Sequence, residues 1–259
     1  MQERHKDRAL YFKEQGETTL KYVIPYVDSV KKISAQTRVL EVGCGEGGNM
    51  SPFLDMGCEV VGVDISVTQI EKATQYLKEA KYTKWQAVAL DIYQVSPEEL
   101  GEFDLIFLRD VIEHIPNQAA FFKIIKAFLK KDGVIFFGFP PWRMPFGGHQ
   151  QICASKYLSM LPFFHILPYA VYKGVLSLFG ESEETINSLL EIKDTGISIS
   201  KFKSLVKQEN FKVLKETYYL INPNYETKFG LKQRVLPPFF RIPHLCDSYT
   251  TAMYSIIKK

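Results

Sequence analysis

The sequence has too few cysteines, too far apart, for a disulfide framework or a zinc site. Cys44, Cys58, Cys153 and Cys246 are the four in 259 residues, and none stands at a metal-ligand spacing from another. A reducing compartment with free thiols is expected, and hence the cytoplasm. A strong excess of one charge is also missing. Lys and Arg number 32 against 29 Asp and Glu, a net charge of +3. The lysines are spread along the chain in pairs such as Lys31-Lys32 and Lys130-Lys131, so the basic stripe of a nucleic-acid binder is absent. Met1 to Arg8 lacks the apolar core of a signal peptide, and no repeat or low-complexity tract appears. The remainder, 46% hydrophobic and 24% charged, suits one soluble domain over 1–259 that is large enough to carry insertions.

Glycine, by contrast, is concentrated in one place. Arg38 to Val42 reads as a buried strand, and Gly43-Cys44-Gly45-Glu46-Gly47-Gly48-Asn49 follows as a sharp turn. A helix over Asn49 to Met56 is expected next. Such a turn lets a ligand approach the backbone beyond the carboxyl end of a strand. The spacing Gly43, Gly45, Gly48 also fits G-x-G-x-x-G, which alone is a weak signal. Three further strand ends add to it. Val60-Val61-Gly62-Val63 ends at Asp64, about twenty residues on, the spacing expected of a ribose ligand. Lys84 to Leu90 ends at Asp91. Phe103 to Leu108 is followed by Arg109-Asp110.

E-V-G-C-G, V-D-I, L-D-I and F-D-L-I-F-L-R-D, in that order over Arg38 to Pro140, resemble the class I S-adenosylmethionine (SAM) methyltransferases. The resemblance implies a doubly wound, Rossmann-like α/β fold. Its seven-stranded sheet would be mostly parallel, with the last strand antiparallel between strands five and six. It also implies a cofactor, SAM, held by the Gly43 to Gly47 turn, with Asp64 on the ribose hydroxyls and Asp91 near the adenine amine. Cys44, Ile65, Ile92 and Arg109 would line the same pocket. Glu41 would orient the loop or meet the methionine ammonium. An ionised carboxylate only accepts hydrogen bonds, and a ribose diol and an exocyclic amine can donate them.

In chain order, Arg8 to Val30 has roughly helical apolar spacing with a break at Pro25. It reads either as a cover over the SAM site through Tyr11 and Phe12 or as a helix packed on the sheet. Ser66 is positioned to cap a helix over Val67 to Ala80, and Ser96-Pro97 begins a short helix. Asn117 to Lys130 reads as an amphipathic helix, Val134 to Phe139 as strand five, Lys201 to Glu209 as a helix capped by Ser200, and Phe211 to Ile221 as strand six. Tyr249 to Ile257 is the last strand. Two insertions interrupt this order. The first, 150–195, is strongly apolar from Tyr157 to Phe179. Pro162, Pro168 and Gly174 break it into short helices rather than one bilayer-length span. Three readings stand for it: a helical lid over the acceptor pocket, a homodimer surface, and a peripheral membrane contact. The second, 222–248, is irregular.

For the chemistry, His114, His149 and Asp110 are the candidate bases on the rim. Arg109 would bind an anionic group or an internal carboxylate, or form a surface salt bridge. Asp110-Val111-Ile112-Glu113-His114 resembles the metal-binding motif of ubiquinone-pathway O-methyltransferases and of plant small-RNA 2′-O-methyltransferases, with Asp110 where those carry Glu. Two readings of Asp110, Glu113 and His114 follow: ligands of a divalent metal such as Mg²⁺, with His149 as a further ligand or base, or a metal-free pocket lining. The activity expected is methyl transfer from SAM to a small-molecule or lipid-like acceptor, most readily at oxygen. The alternatives are a methyltransferase fold serving as a binding or regulatory module and an NAD-dependent oxidoreductase.

Overall fold

The computed structural model describes residues 8–243 and 245–259, so most of the Met1 to Arg8 segment lies outside the described residues. Eight strands form one sheet: β1 (Arg38–Val42), β2 (Glu59–Asp64), β3 (Trp85–Ala89), β4 (Phe103–Arg109), β5 (Leu129–Phe139), β6 (Lys212–Ile221), β7 (Arg234–Val235) and β8 (Ala252–Lys258). Their order is β3-β2-β1-β4-β5-β8-β6-β7. β1 to β5 are parallel, and β8 lies antiparallel between β5 and β6. The expected sheet of seven becomes eight because two residues of the second insertion pair with the edge of β6.

Eleven α-helices complete the described chain: α1 (Arg8–Thr18), α2 (Ile24–Asp28), α3 (Ser51–Asp55), α4 (Val67–Glu79), α5 (Pro97–Leu100), α6 (Gln118–Ala127), α7 (Lys156–Met160), α8 (Tyr169–Leu178), α9 (Glu183–Thr195), α10 (Ile199–Gln208) and α11 (Asn224–Phe229). The central strands are buried on both faces, which is why they read as continuous apolar runs. Side-chain alternation splits them between two cores. Leu40, Ile106 and Phe137 join Phe122 of α6 and Phe202 of α10 on one face. Val39, Phe107 and Phe136 join Val27 of α2 and Phe53 of α3 on the other. Stacked rings tie each face together, Phe122 on Phe137 and Phe107 on Phe136.

Several boundaries differ from the sequence reading, each for a local reason. The helix after the glycine turn starts at Ser51, not Asn49, because Pro52 fits only its first turn. Asn117 caps α6 from a left-handed conformation, and α6 stops at Ala127, so β5 begins at Leu129 rather than Val134. Ser198, not Ser200, caps α10, its hydroxyl accepting from the Lys201 amide. Ser66 does cap α4, and Ser96 forms a capping box with Glu99 at α5. Pro25 opens α2 after a π-helical turn at Thr19–Val23. The first insertion breaks at Leu161–Pro168, as its prolines require, and α7, α8 and α9 enclose a small core of their own. Among the described residues no helix is long and apolar enough to cross a membrane.

Candidate active site

The strand order reverses beside β1, so the turns after β1 and β4 open onto one crevice. A cleft of about 500 Å³ lies there, lined by Gly43, Gly45, Asp64, Ser66, Arg109 and Asp110, with Tyr11 and Gln15 of α1 across from them. α1 therefore closes one wall of the cleft.

The turn is shaped by backbone that L side chains resist. Gly43 has φ +69°, and a Cβ there would meet Val111 at 2.7 Å. Gly45 has φ +52°, yet its missing Cβ would touch nothing within 4 Å. Gly45 thus leaves open space where a ligand can lie against the main chain. Asp64 holds this turn in place. One carboxylate oxygen accepts from the Gly45 amide at 2.9 Å and the other from the Ser66 amide at 2.9 Å. Its remaining lone pairs stay available for hydroxyl donors.

Behind the turn a buried polar network joins three segments. Asn49 donates through Nδ2 to Glu41 (2.9 Å), and its Oδ1 accepts from Arg109 and Thr19, each at 2.8 Å. Arg109 also reaches Thr19 and the Gln15 carbonyl, both at 3.2 Å. Arg109 is therefore not part of a surface salt bridge; its buried guanidinium braces α1 against the cleft. Burial is the main cause that pushes the Glu41 carboxyl up to about 8, while Asn49 and Arg109 pull it down and Asp64 adds to the rise. A neutral Glu41 thus supports Asn49 at pH 7.

This shift has a testable sign. The native state keeps a proton on Glu41 that the unfolded chain releases near the ordinary carboxyl pKa. The carboxyl's contribution to stability is therefore complete below about 4.5 and is lost as pH rises toward 8, at about 1.4 kcal/mol per pH unit. Glu41→Gln keeps the shape without the titration. Urea titrations at pH 5 and pH 8 are expected to show the variant gaining on the wild type at the higher pH. A difference that does not change with pH would rule out a neutral native Glu41.

A second group converges beside Asp110. Glu113, His114 and His149 each place a ligand atom within 4.8 Å of the others, and the two imidazole rings stand 4.9 Å apart, edge to face. Asp110 is not in this group; it lines the cleft instead. Glu113 is buried and neither side-chain oxygen has a hydrogen-bond partner. Burial, with the nearby Asp110 charge, raises its pKa well above the carboxylate range. Burial first, then His114, pushes His149 down to about 4. Asp110 and His149 both adopt left-handed backbone, with φ +56° and +55°. For non-glycine residues such geometry persists where surrounding structure imposes it.

A family model described as a methyltransferase domain matches residues 11–191. The chain belongs to the class I SAM-dependent methyltransferases. It is 28% identical over 153 residues to the ubiquinone biosynthesis O-methyltransferase of Histophilus somni, covering 54% of this chain and 60% of that protein. Its match to the enzyme of the same name from Rickettsia canadensis is 24% identical and covers 72% and 73%. The matched region thus spans less than two thirds of the Histophilus somni relative. The fold is similar to a putative sarcosine dimethylglycine methyltransferase of Galdieria sulphuraria, at TM-score 0.59, 13% identity and coverage of 93% and 85%. It is also similar to the magnesium protoporphyrin IX methyltransferase of Synechocystis PCC 6803 solved with bound SAH, at TM-score 0.56, 14% identity and coverage of 94% and 84%. The cofactor of this family is SAM, which sets aside the NAD reading.

Against that SAM-family frame, Gly43, Cys44, Gly45, Asp64 and Arg109 line the cleft. Cys44 does so with its backbone, since its thiol is buried under Gly62. Ile65 stands 79% exposed beside Asp64, whereas Ile92 is packed into the core. Asp91 sits one strand over and accepts from the Tyr93 amide, outside the residues that line the cleft. Sequence reasoning missed α11. Tyr225 lies close enough to Asp110 for that charge to raise its pKa, and Lys228 close enough to His149 to lower it. No local motif signals this, because the approach depends on where β6 ends.

Proposed function

We propose that this chain transfers the methyl group of SAM to an oxygen of a small or lipid-like acceptor carrying an acidic hydroxyl, and that it works in the cytoplasm. The observation that carries the reading is the convergence of Glu113, His114 and His149 next to the SAM cleft. SAM supplies an electrophilic methyl on a sulfonium; the acceptor oxygen displaces it, leaving a neutral thioether. What remains for the protein is to hold the nucleophile in line and to take or neutralise its proton. In this reading Asp64 accepts from the ribose hydroxyls, the Gly43–Gly47 turn holds the methionine end, and Asp91 serves the adenine side. A hydroxyl placed between His149 and Glu113 would face two neutral imidazoles able to accept its proton.

The same three residues fit a divalent cation. Both Glu113 oxygens are buried without partners, and two neutral imidazoles stand beside them, a mixed nitrogen and oxygen set. Such a set suits Mn²⁺, Fe²⁺ or Zn²⁺ better than Mg²⁺. When bound, the ion would lower the pKa of a coordinated acceptor hydroxyl. Relatives named for ubiquinone O-methylation support oxygen as the acceptor atom. The first insertion supports a lid. The Thr195 hydroxyl donates to the Glu113 carbonyl at 2.6 Å, and the Trp142 amide to the Ile197 carbonyl at 2.8 Å, so α9 is tied to the loop that bears the proposed centre.

The test is methyl transfer from labelled SAM to a panel of phenols and enols with apolar tails. Turnover is expected to collapse in excess chelator and to return with added Mn²⁺ or Zn²⁺. Full turnover in chelator would leave the imidazoles as bases, and no turnover on any hydroxyl acceptor would count against oxygen.

A further inference from the structure

The inward faces of α7, α8 and α9 are consumed by the insertion's own core, where Leu158, Tyr172 and Leu176 are buried. The outward faces are not. Of the 24 large apolar side chains exposed among the described residues, 17 fall in the two insertions. Tyr157 and Leu178 are each 82% exposed, and Phe239 is 74%. Such exposure, concentrated rather than scattered, calls for a partner surface.

Charge says which kind. Residues 141–180 carry three Lys and Arg and no carboxylate, and residues 227–246 carry four and none. The whole chain is only +3, so the rest of the molecule is net negative. Lys156, Lys173, Lys232 and Arg234 are exposed among the apolar side chains. Topology brings the two segments to one end of the molecule. β5 and β6 run in the same direction with only β8 between them, so the insertions leave the same sheet rim about 10 Å apart. α11 of the second lies near His149 at the base of the first, close enough for Lys228 to influence that ring.

We propose that the outward faces of the two insertions together form a docking surface for an anionic phospholipid bilayer, set around the mouth of the acceptor site. Aromatic and aliphatic side chains would enter the headgroup region while the lysines and arginines pair with lipid phosphates. This is an interfacial contact, since no described helix can span. A second copy of this basic surface would meet it with like charge, which disfavours self-association there.

The test is co-sedimentation of the full chain with vesicles of phosphatidylcholine alone or with a third phosphatidylglycerol. Binding is expected with the anionic vesicles, weakened by salt and at least tenfold weaker on phosphatidylcholine alone. Tyr157→Asp with Phe239→Asp, and separately Lys232→Glu with Arg234→Glu, should each lower the partition coefficient at least tenfold. All four positions are exposed, and SAM affinity by calorimetry should be unchanged, which shows that the fold and cofactor site are intact. Failure of the proposed methyl transfer leaves this result untouched, because the readout is sedimentation. No anionic preference, or variants that sediment like the wild type, would overturn the proposal. So would a dimer, seen by sedimentation velocity, that the same variants dissociate.

Discussion

Asp64→Ala is expected to weaken SAM binding about a hundredfold, near 3 kcal/mol, because one residue holds two things at once. Its carboxylate is the acceptor available to the ribose hydroxyls. It is also the anchor of the Gly45 and Ser66 amides, one on each oxygen. Alanine removes both, so the turn loses the geometry that leaves space over Gly45. Asp64→Asn separates the roles: it retains an oxygen for one amide but has no charge, and an intermediate loss is expected. Isothermal calorimetry on the folded variants measures this. Unchanged affinity for Asp64→Ala would remove Asp64 from the cofactor site.

Substitutions in the second group should show the opposite pattern, with cofactor affinity kept and turnover lost. His149→Ala is expected to lower kcat by about 10² to 10³, the range for losing a positioned proton acceptor, with SAM affinity within twofold. Glu113→Gln is more diagnostic. Neither Glu113 oxygen has a partner, so the fold pays for a buried carboxyl that nothing in the protein satisfies. Glutamine at this position should leave the urea midpoint equal or higher while turnover falls, the signature of a group retained for function rather than stability. A Glu113→Gln protein with full turnover would show the buried carboxyl to be a packing feature, and wild-type turnover in His149→Ala would return His149 to the pocket lining.

The contrast between these two groups follows how each was encoded. Asp64 and the glycine turn are legible in sequence because they lie within about twenty-five residues, on strand ends whose period and burial impose their direction. The same holds for β1 to β5. Their apolar runs leave no alternative to burial on both faces, and short connections with capped helices make the order parallel. Glu113 and His114 could be read as a motif, but His149 joins them only because the loop after β5 folds back over the turn after β4. Arg109 changed meaning most. As sequence it is a cation at a rim; in the structure its guanidinium is buried among Asn49, Thr19 and the Gln15 carbonyl.

The sequence by itself determined the fold class, the cofactor family and the nucleotide-facing strand ends, because local periodicity, turn chemistry and strand-end carboxylates are written in consecutive residues. It also showed that the 150–195 insertion must break into short helices, since proline removes the amide hydrogen bonds a long helix needs. Only the tertiary structure decided that β7 adds an eighth strand, that α1 walls the cleft and that α11 reaches Asp110. It alone showed that Asp110 stands apart from Glu113, His114 and His149, and that the insertion keeps an apolar outer face. Each of these depends on contacts between residues tens to hundreds of positions apart, set by which strand lies beside which, and no local pattern of side chains carries that information.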